Sequence, residues 1–178
     1  MAGLLDGVKV LDLTRVLAGP YCGMMLADMG AEVTKIELPG RGDDARRNFP
    51  LVNGESAYFM NLNRNKRGIT LNLKSEKGKE IFRELVKQSD IVLENYRPGV
   101  MEKLGLGYED LKKINPAIIY GAVSGFGHFG PYSKRAGYDI IGQAMSGLMS
   151  TTGWPDTPPT RTGTAISDVM GGISCCVG

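Results

Sequence analysis

The chain has 178 residues, 42% of them hydrophobic, which suits one globular domain with a real core and excludes a disordered or fibrous class. Its formal charge is only +2, so no global field attracts nucleic acid, although clusters such as Arg46-Arg47 and Arg64-Asn65-Lys66-Arg67 can meet the phosphates of a small polyanion. Three cysteines, Cys22, Cys175 and Cys176, supply neither a CxxC nor a second metal-type cluster, which argues against a disulfide framework or a zinc site and for reduced thiols in the cytosol.

At the start, Met1-Ala-Gly-Leu-Leu-Asp6 lacks a basic region and a long apolar run, and no later segment approaches about 18 uninterrupted apolar residues. The expectation is a cytoplasmic protein without membrane or nucleic-acid partners. Val8 to Leu13 reads as a strand, Thr14 to Pro20 as the turn into a helix, and Glu32 to Glu37 as a second strand, together a βαβ unit. Arg41 to Arg47 is a charged loop, Glu55 to Asn63 a short helix, and Gly68 to Leu73 a third strand by alternation. Ser75 caps a helix running to about Gln88, with Ile81, Phe82, Leu85 and Val86 on one face.

Asp90 to Glu94 is a buried type of strand that runs into the Asn95-Tyr-Arg-Pro-Gly99 loop. Short helices over 101–104 and 108–114 lead to a strand over 117–123, the glycine-rich Ser124 to Pro131, and a helix over 138–149. Strands alternating with helices predict an α/β fold, a Rossmann-like, mainly parallel sheet with flanking helices, which binds ligands beyond the carboxyl ends of its strands. The chain ends inside an apolar, helix-like stretch without a stop signal, so it reads as a fragment.

A dinucleotide site is weakly supported. Ala18-Gly-Pro-Tyr-Cys-Gly23 is not GxGxxG, Pro20 lacks the N–H a pyrophosphate would use, and Gly19 and Gly23 read as turn and helix-packing glycines. His128 is the only histidine and lies in a glycine-rich loop, which leaves a hydrolase triad or a metal site without partners. Asp168, in Thr162-Gly-Thr-Ala-Ile-Ser-Asp-Val-Met-Gly-Gly172, reads by itself as a helix cap or first-turn acid beside Ser167. Partly desolvated and held against an activated acyl group, the same carboxylate could serve as a nucleophile.

Leu5 to Pro20, Leu26 to Glu37, Asn63-Arg-Asn-Lys-Arg67, Leu71-Asn-Leu-Lys74, Glu94-Asn-Tyr-Arg-Pro-Gly99, Leu106-Gly-Tyr108 and Gly137-Tyr-Asp139 resemble, in consecutive order, the family III coenzyme A transferases (the CaiB/BaiF family). The resemblance implies that residues 1–178 form a single Rossmann-like CoA-binding domain, ending before a second, smaller domain, in a protein whose two subunits interlock as a homodimer. It implies Asp168 as nucleophile, coenzyme A or acyl-CoA as substrate, a small carboxylic acid as acceptor, and no metal. It places Val16, Ala18, Leu71, Asn72, Leu73, Lys74, Asn95, Tyr96, Arg97 and Lys103 along the CoA groove, with Arg135 as a further phosphate contact. Leu38 stands where some transferases carry Arg. The family's later glycine-rich loop lies outside this sequence. The α-methylacyl-CoA racemases of the same superfamily carry a histidine where this chain has Tyr138, a poor base at neutral pH. A non-catalytic CoA-binding fragment is the third reading.

Overall fold

The computed structural model describes residues 3–178. Its elements are β1 (Lys9–Asp12), α1 (Ala18–Asp28), β2 (Glu32–Glu37), a 3-10 turn (Asp44–Arg47), β3 (Leu51–Val52), β4 (Glu55–Ser56), α2 (Ala57–Leu62), β5 (Arg67–Thr70) and α3 (Glu76–Val86). There follow β6 (Ile91–Glu94), α4 (Val100–Lys103), α5 (Tyr108–Ile114), β7 (Ile119–Ala122), α6 (Asp139–Met145), a second 3-10 turn (Leu148–Thr151) and α7 (Ile166–Val177).

Five strands form one parallel sheet in the order β5-β2-β1-β6-β7, with Val10 opposite both Val33 and Ile91. Strand order runs outward in both directions from the β1/β6 pair, so the loops leaving those two strands diverge and open a crevice at their carboxyl ends. The central strands β1 and β6 bury apolar residues on both faces, as a parallel sheet covered on both sides requires, whereas the edge strand β5 is exposed. On one face Leu11, Leu13, Ile36 and Val92 pack with Phe82 and Val86 of α3, Met101 of α4 and Leu111 of α5. On the other, Val10, Val33 and Leu93 pack with Cys22, Leu26 and Ala27 of α1, and with Cys175 and Cys176 of α7. The Rossmann-like α/β expectation is borne out.

Several local expectations are corrected; the third strand, expected over Gly68 to Leu73, runs over Arg67–Thr70. The helix expected over Glu55 to Asn63 begins only at Ala57, because Glu55 and Ser56 pair with Val52 and Leu51 in a hairpin. Its turn is Asn53-Gly54, both at positive φ, the strongest short hairpin signal there is. Ser56 then caps α2, its Oγ accepting from the Phe59 N–H at 3.1 Å. The helix expected over 138–149 stops at Met145, where Gly147 turns left-handed (φ 82°) and starts the second 3-10 turn. Ser75 caps α3 as expected, accepting from the Gly78 N–H at 3.1 Å, but Ile81 is exposed rather than part of the buried face.

Candidate active site

A cleft of about 370 Å³ lies at the crevice between β1 and β6. Its walls are the turn after β1, the loop after β6, the start of the glycine-rich loop after β7, and the first turns of α6 and α7. Seven of the residues expected at the site line it together: Val16 and Ala18, Asn95, Tyr96 and Arg97, Arg135, and Asp168. Leu71 to Lys74 and Lys103 do not. Leu73 is buried in the core, Leu71 packs against it, Asn72 turns its Oδ1 back to the Lys74 N–H at 3.0 Å, and Lys74 and Lys103 are exposed. Leu38 is 46% exposed. A second depression, about 440 Å³ between α6 and α7 around Leu148 and Met170, carries no ionisable group among its lining residues.

Asp168 occupies the third position of α7, so the first-turn reading holds and the capping one does not: the cap position is Ala165, with no side-chain bond. The N-terminus of α7 is instead held from outside. Asp139 Oδ1 accepts from the Ser167 N–H at 2.8 Å, and its Oδ2 accepts from Gln143 Nε2 at 2.6 Å. Gln143, fully buried, also accepts the Thr162 N–H at 2.8 Å through Oε1, tying down the segment before α7. Burial, and then the negative charge of Asp139, raise the Asp168 carboxyl above the ordinary aspartate value. The helix dipole acts in the other direction and favours the carboxylate. The result is a half-buried acid that is less solvated than a surface aspartate and therefore a better nucleophile when ionised.

The β1 turn meets the β6 loop through Asn95. Its Oδ1 accepts from the Arg15 N–H at 2.8 Å and its Nδ2 donates to the Arg15 carbonyl at 2.7 Å. The Arg15 guanidinium lies 5.0 Å from the Tyr96 ring centre and 3.8 Å from Asp44, on the cleft wall. Arg97 and Arg135 add positive charge to the lining, and Arg135 stacks on Tyr132 at 4.1 Å. Such cations suit phosphates and carboxylates. Ser124 also lines the cleft, and its buried Oγ has no hydrogen-bond partner among the described residues.

Beneath the β6 loop, Glu94 is buried with Oε2 accepting from the Tyr96 N–H at 2.7 Å. Burial pushes its carboxyl up to about 7 against that bond. His128 is exposed in its loop, with Nε2 standing 3.5 Å from Glu94 Oε1. Tyr58 is half-buried, and burial together with the charges of Asp168 and Asp43 raises its phenol, which therefore remains a donor. The sequence pattern did not single out Arg15, Glu94, Asp139, Gln143 or Tyr58, and Ser124, in Gly121-Ala-Val-Ser-Gly125, does not match a GxSxG elbow. Arg15, Glu94 and Asp139 nonetheless lie inside the motifs that carried the family resemblance.

The described residues thus form a parallel α/β domain whose switch-point cleft joins basic side chains to a desolvated aspartate. The family model described as CoA-transferase family III matches residues 5–178, and the chain belongs to that family. Over 172 residues it is 52% identical to an acetyl-CoA:oxalate CoA-transferase of Acetobacter aceti, covering 96% of this chain and 44% of that protein. Over 170 residues it is 53% identical to a succinyl-CoA:glutarate CoA-transferase of Mus musculus, covering 95% and 39%. A crystal structure of a CAIB/BAIF family protein from Brucella suis superposes with a TM-score of 0.94 at 46% identity, over 99% of this chain and 48% of that one. The chain spans less than half the length of the curated relatives it matches. Among the described residues no helix is long and apolar enough to cross a membrane, and no group of three or more His, Cys, Asp or Glu side chains could hold a metal ion.

Proposed function

We propose that this chain carries the CoA-binding half and the nucleophile of a CoA transferase that moves coenzyme A from an acyl-CoA donor to a small carboxylic acid, most readily a dicarboxylate. The observation that carries the reading is Asp168: a carboxyl raised by burial, lining one cleft with Val16, Ala18 and Asn95 to Arg97. The transferase names of the relatives support it, since those proteins are named for oxalate and glutarate.

In this mechanism an ionised Asp168 oxygen attacks the thioester carbonyl carbon. The C–S bond breaks, CoA leaves as thiolate, and an acyl-aspartyl anhydride forms. The thiolate attacks the aspartyl side of the anhydride, giving an aspartyl-CoA thioester and releasing the donor acid. The acceptor carboxylate then attacks this thioester, expelling the thiolate again, and the thiolate takes the new acyl group and frees Asp168. One thioester is exchanged for another, so the net reaction uses no water. Water is the competitor, and the half-buried setting of Asp168 disfavours it. Oxyanions form at each attack and need donors; the Ser124 hydroxyl, which lines the cleft and has no partner among the described residues, is a neutral donor for that role.

Lys74 and Lys103 remain proposed phosphate contacts, and their exposure leaves them free to meet a long substrate that extends beyond the cleft. An interlocked homodimer belongs to the same proposal for the full-length protein, readable by size-exclusion chromatography with light scattering. The racemase reading would need a base at position 138, where Tyr138 is 77% exposed.

The test is exchange of CoA between succinyl-CoA or acetyl-CoA and oxalate or glutarate by the full-length protein. Asp168→Asn is expected to lower the rate by about a thousandfold or more, the scale on which loss of a covalent nucleophile is felt. An Asp168→Asn variant that still exchanges at the wild-type rate contradicts the proposal. Deuterium uptake at the α-carbon of a 2-methylacyl-CoA in D₂O without an acceptor acid would instead establish the racemase.

A further inference from the structure

The turn between β1 and α1 has no glycine before residue 19, although a Rossmann-like fold ordinarily places one there so that the backbone can kink toward its ligand. Here Val16, a β-branched residue, takes the left-handed conformation at φ 68°, which its branched side chain disfavours. That conformation persists only if its surroundings hold it.

The surroundings are unusually complete. The Thr14 N–H donates to Asp12 Oδ1 at 2.9 Å, and the Thr14 carbonyl accepts from Lys35 Nζ at 2.9 Å. Asn95 takes both the N–H and the carbonyl of Arg15. The Val16 N–H donates to Asp43 Oδ1 at 3.1 Å. Five backbone groups of three consecutive residues are therefore bound by side chains from four separate segments. Lys35 and Asp43 close the set, because Lys35 Nζ also meets Asp43 Oδ2 at 2.9 Å, with the two side chains only 3% and 0% exposed. Asp43 is itself fixed: its Oδ1 also accepts from the Ala45 N–H at 2.9 Å, and its own N–H donates to Glu37 Oε2 at 2.7 Å. Glu37 accepts in turn from Arg46 Nε at 2.8 Å and Nη2 at 2.6 Å.

We propose that Lys35 and Asp43 are positioning residues, a buried strut that holds the Thr14 to Val16 turn in the strained shape that receives the acyl-CoA. Neither touches the cleft. Both act through the backbone of residues that do, and the strut replaces with side-chain bonds what a glycine would supply by conformational freedom. Taking two charges out of water to hold a backbone is expensive, and simple packing would be served as well by apolar residues of similar volume. The inference rests on the CoA-transferase reading for the ligand, but not for the state of the turn.

The full-length protein separates the two. Asp43→Ala removes the acceptor for the Val16 N–H and the partner of Lys35; Asp43→Asn keeps an acceptor oxygen but faces Lys35 with an amide. The expected result is a rise in KM for the acyl-CoA of about tenfold or more in Asp43→Ala, a smaller rise in Asp43→Asn, and kcat changed less than about threefold in both. In the same variants without substrate, amide hydrogen exchange in a peptide spanning residues 13–18 should speed up. Phe82→Leu, a core change on the opposite face of the sheet, supplies the comparison: it should lower Tm without moving KM or that peptide. Asp43 variants that lose Tm as Phe82→Leu does, with KM and exchange unchanged, overturn the proposal. If Asp43→Ala does not fold, Asp43→Asn and Lys35→Met are read by the same criteria. A wild-type protein that neither binds nor turns over acyl-CoA defeats the functional reading and the role of the strut in binding, whereas unchanged exchange over residues 13–18 defeats the strut alone.

Discussion

Gly172 of α7 lies so close to Ala18 of α1 that a Cβ at position 172 would stand 2.5 Å from the Ala18 carbonyl oxygen. This contact joins the two halves of the candidate site, since α7 carries Asp168 one turn earlier and Ala18 opens the helix that follows the β1 turn. Helix α1 and helix α7 cover the same face of the sheet, so their spacing sets how far Asp168 stands from the β1 turn.

Gly172→Ala must therefore push α7 away from α1, because the neighbour it meets is backbone and cannot rotate aside. Overpacking of this kind costs about 1–3 kcal/mol. The prediction is a lower Tm together with reduced transfer activity, measured by calorimetry and CoA exchange. Gly171→Ala is the control, since its Cβ would meet only Val123 at an ordinary 3.5 Å. Equal effects at the two positions would contradict the account of the contact.

In the proposed mechanism the acid limb of the pH–rate profile reports Asp168. Catalysis needs the carboxylate, so activity is lost as pH falls through its pKa, and burial plus the Asp139 charge place that loss above the ordinary aspartate value. Asp139→Asn removes the repelling charge while an oxygen can still accept the Ser167 N–H. The midpoint of the acid limb of kcat/KM should move to lower pH. A midpoint that stays or rises would show that Asp139 does not act on Asp168 through its charge.

Glu94 predicts a different pH dependence, in stability. The folded protein holds this proton up to about pH 7, whereas the ordinary value is 4.5, so the folded state binds more protons between those values. Stability from this group is fully present below the lower value and is lost as pH rises through the higher one, by an amount on the order of 3 kcal/mol for a shift of this size. The groups facing it are Tyr96, Tyr120, Glu102 and His128. Glu94→Gln, which keeps an acceptor for the Tyr96 N–H, should flatten the decline in urea-unfolding free energy between pH 4.5 and about 7, the window set by the two values. An unchanged slope contradicts the assignment.

Asp12 and Lys66 form a buried ion pair at 2.8 Å, with side chains 0% and 1% exposed. Lys66 Nζ also donates to the Pro20 carbonyl at 2.9 Å, and Gly23 leaves the room for it, since a Cβ there would stand 2.7 Å from Asp12 Oδ2. Burial alone would raise the Asp12 carboxyl, but the Lys66 and Lys35 ammonium groups more than reverse this and hold it below the usual range. Its contribution to stability is present above the ordinary aspartate pKa and is lost as pH falls through the lowered one. Lys66→Met should cost about 3–5 kcal/mol at neutral pH by leaving the Asp12 charge unpaired. A variant as stable as the wild type by urea unfolding would contradict this.

Much of the fold was legible because parallel strands buried on both faces leave apolar runs that end in turn residues, as at Val10-Leu11 and Ile91 to Leu93. Ser75 and Pro20 marked helix starts for the same local reasons. The Asn53-Gly54 hairpin was also written in the sequence, but the helical spacing of the residues that follow masked it. The site was legible in part. Asp168 gained meaning only from the ordered family motifs, because its desolvation and its proximity to Asp139 are tertiary properties that no local pattern encodes. The Asp43 to Val16 and Asn95 to Arg15 bonds span 27 and 80 positions in the chain, and neither residue type nor spacing announces them.

In the proposed mechanism Asp168 becomes covalently acylated. The most direct test is mass spectrometry of the full-length enzyme mixed with donor acyl-CoA, quenched within the turnover time and trapped with hydroxylamine. The expected product is a hydroxamate on Asp168 that is absent without donor. An enzyme that turns over while Asp168 stays unmodified would contradict it.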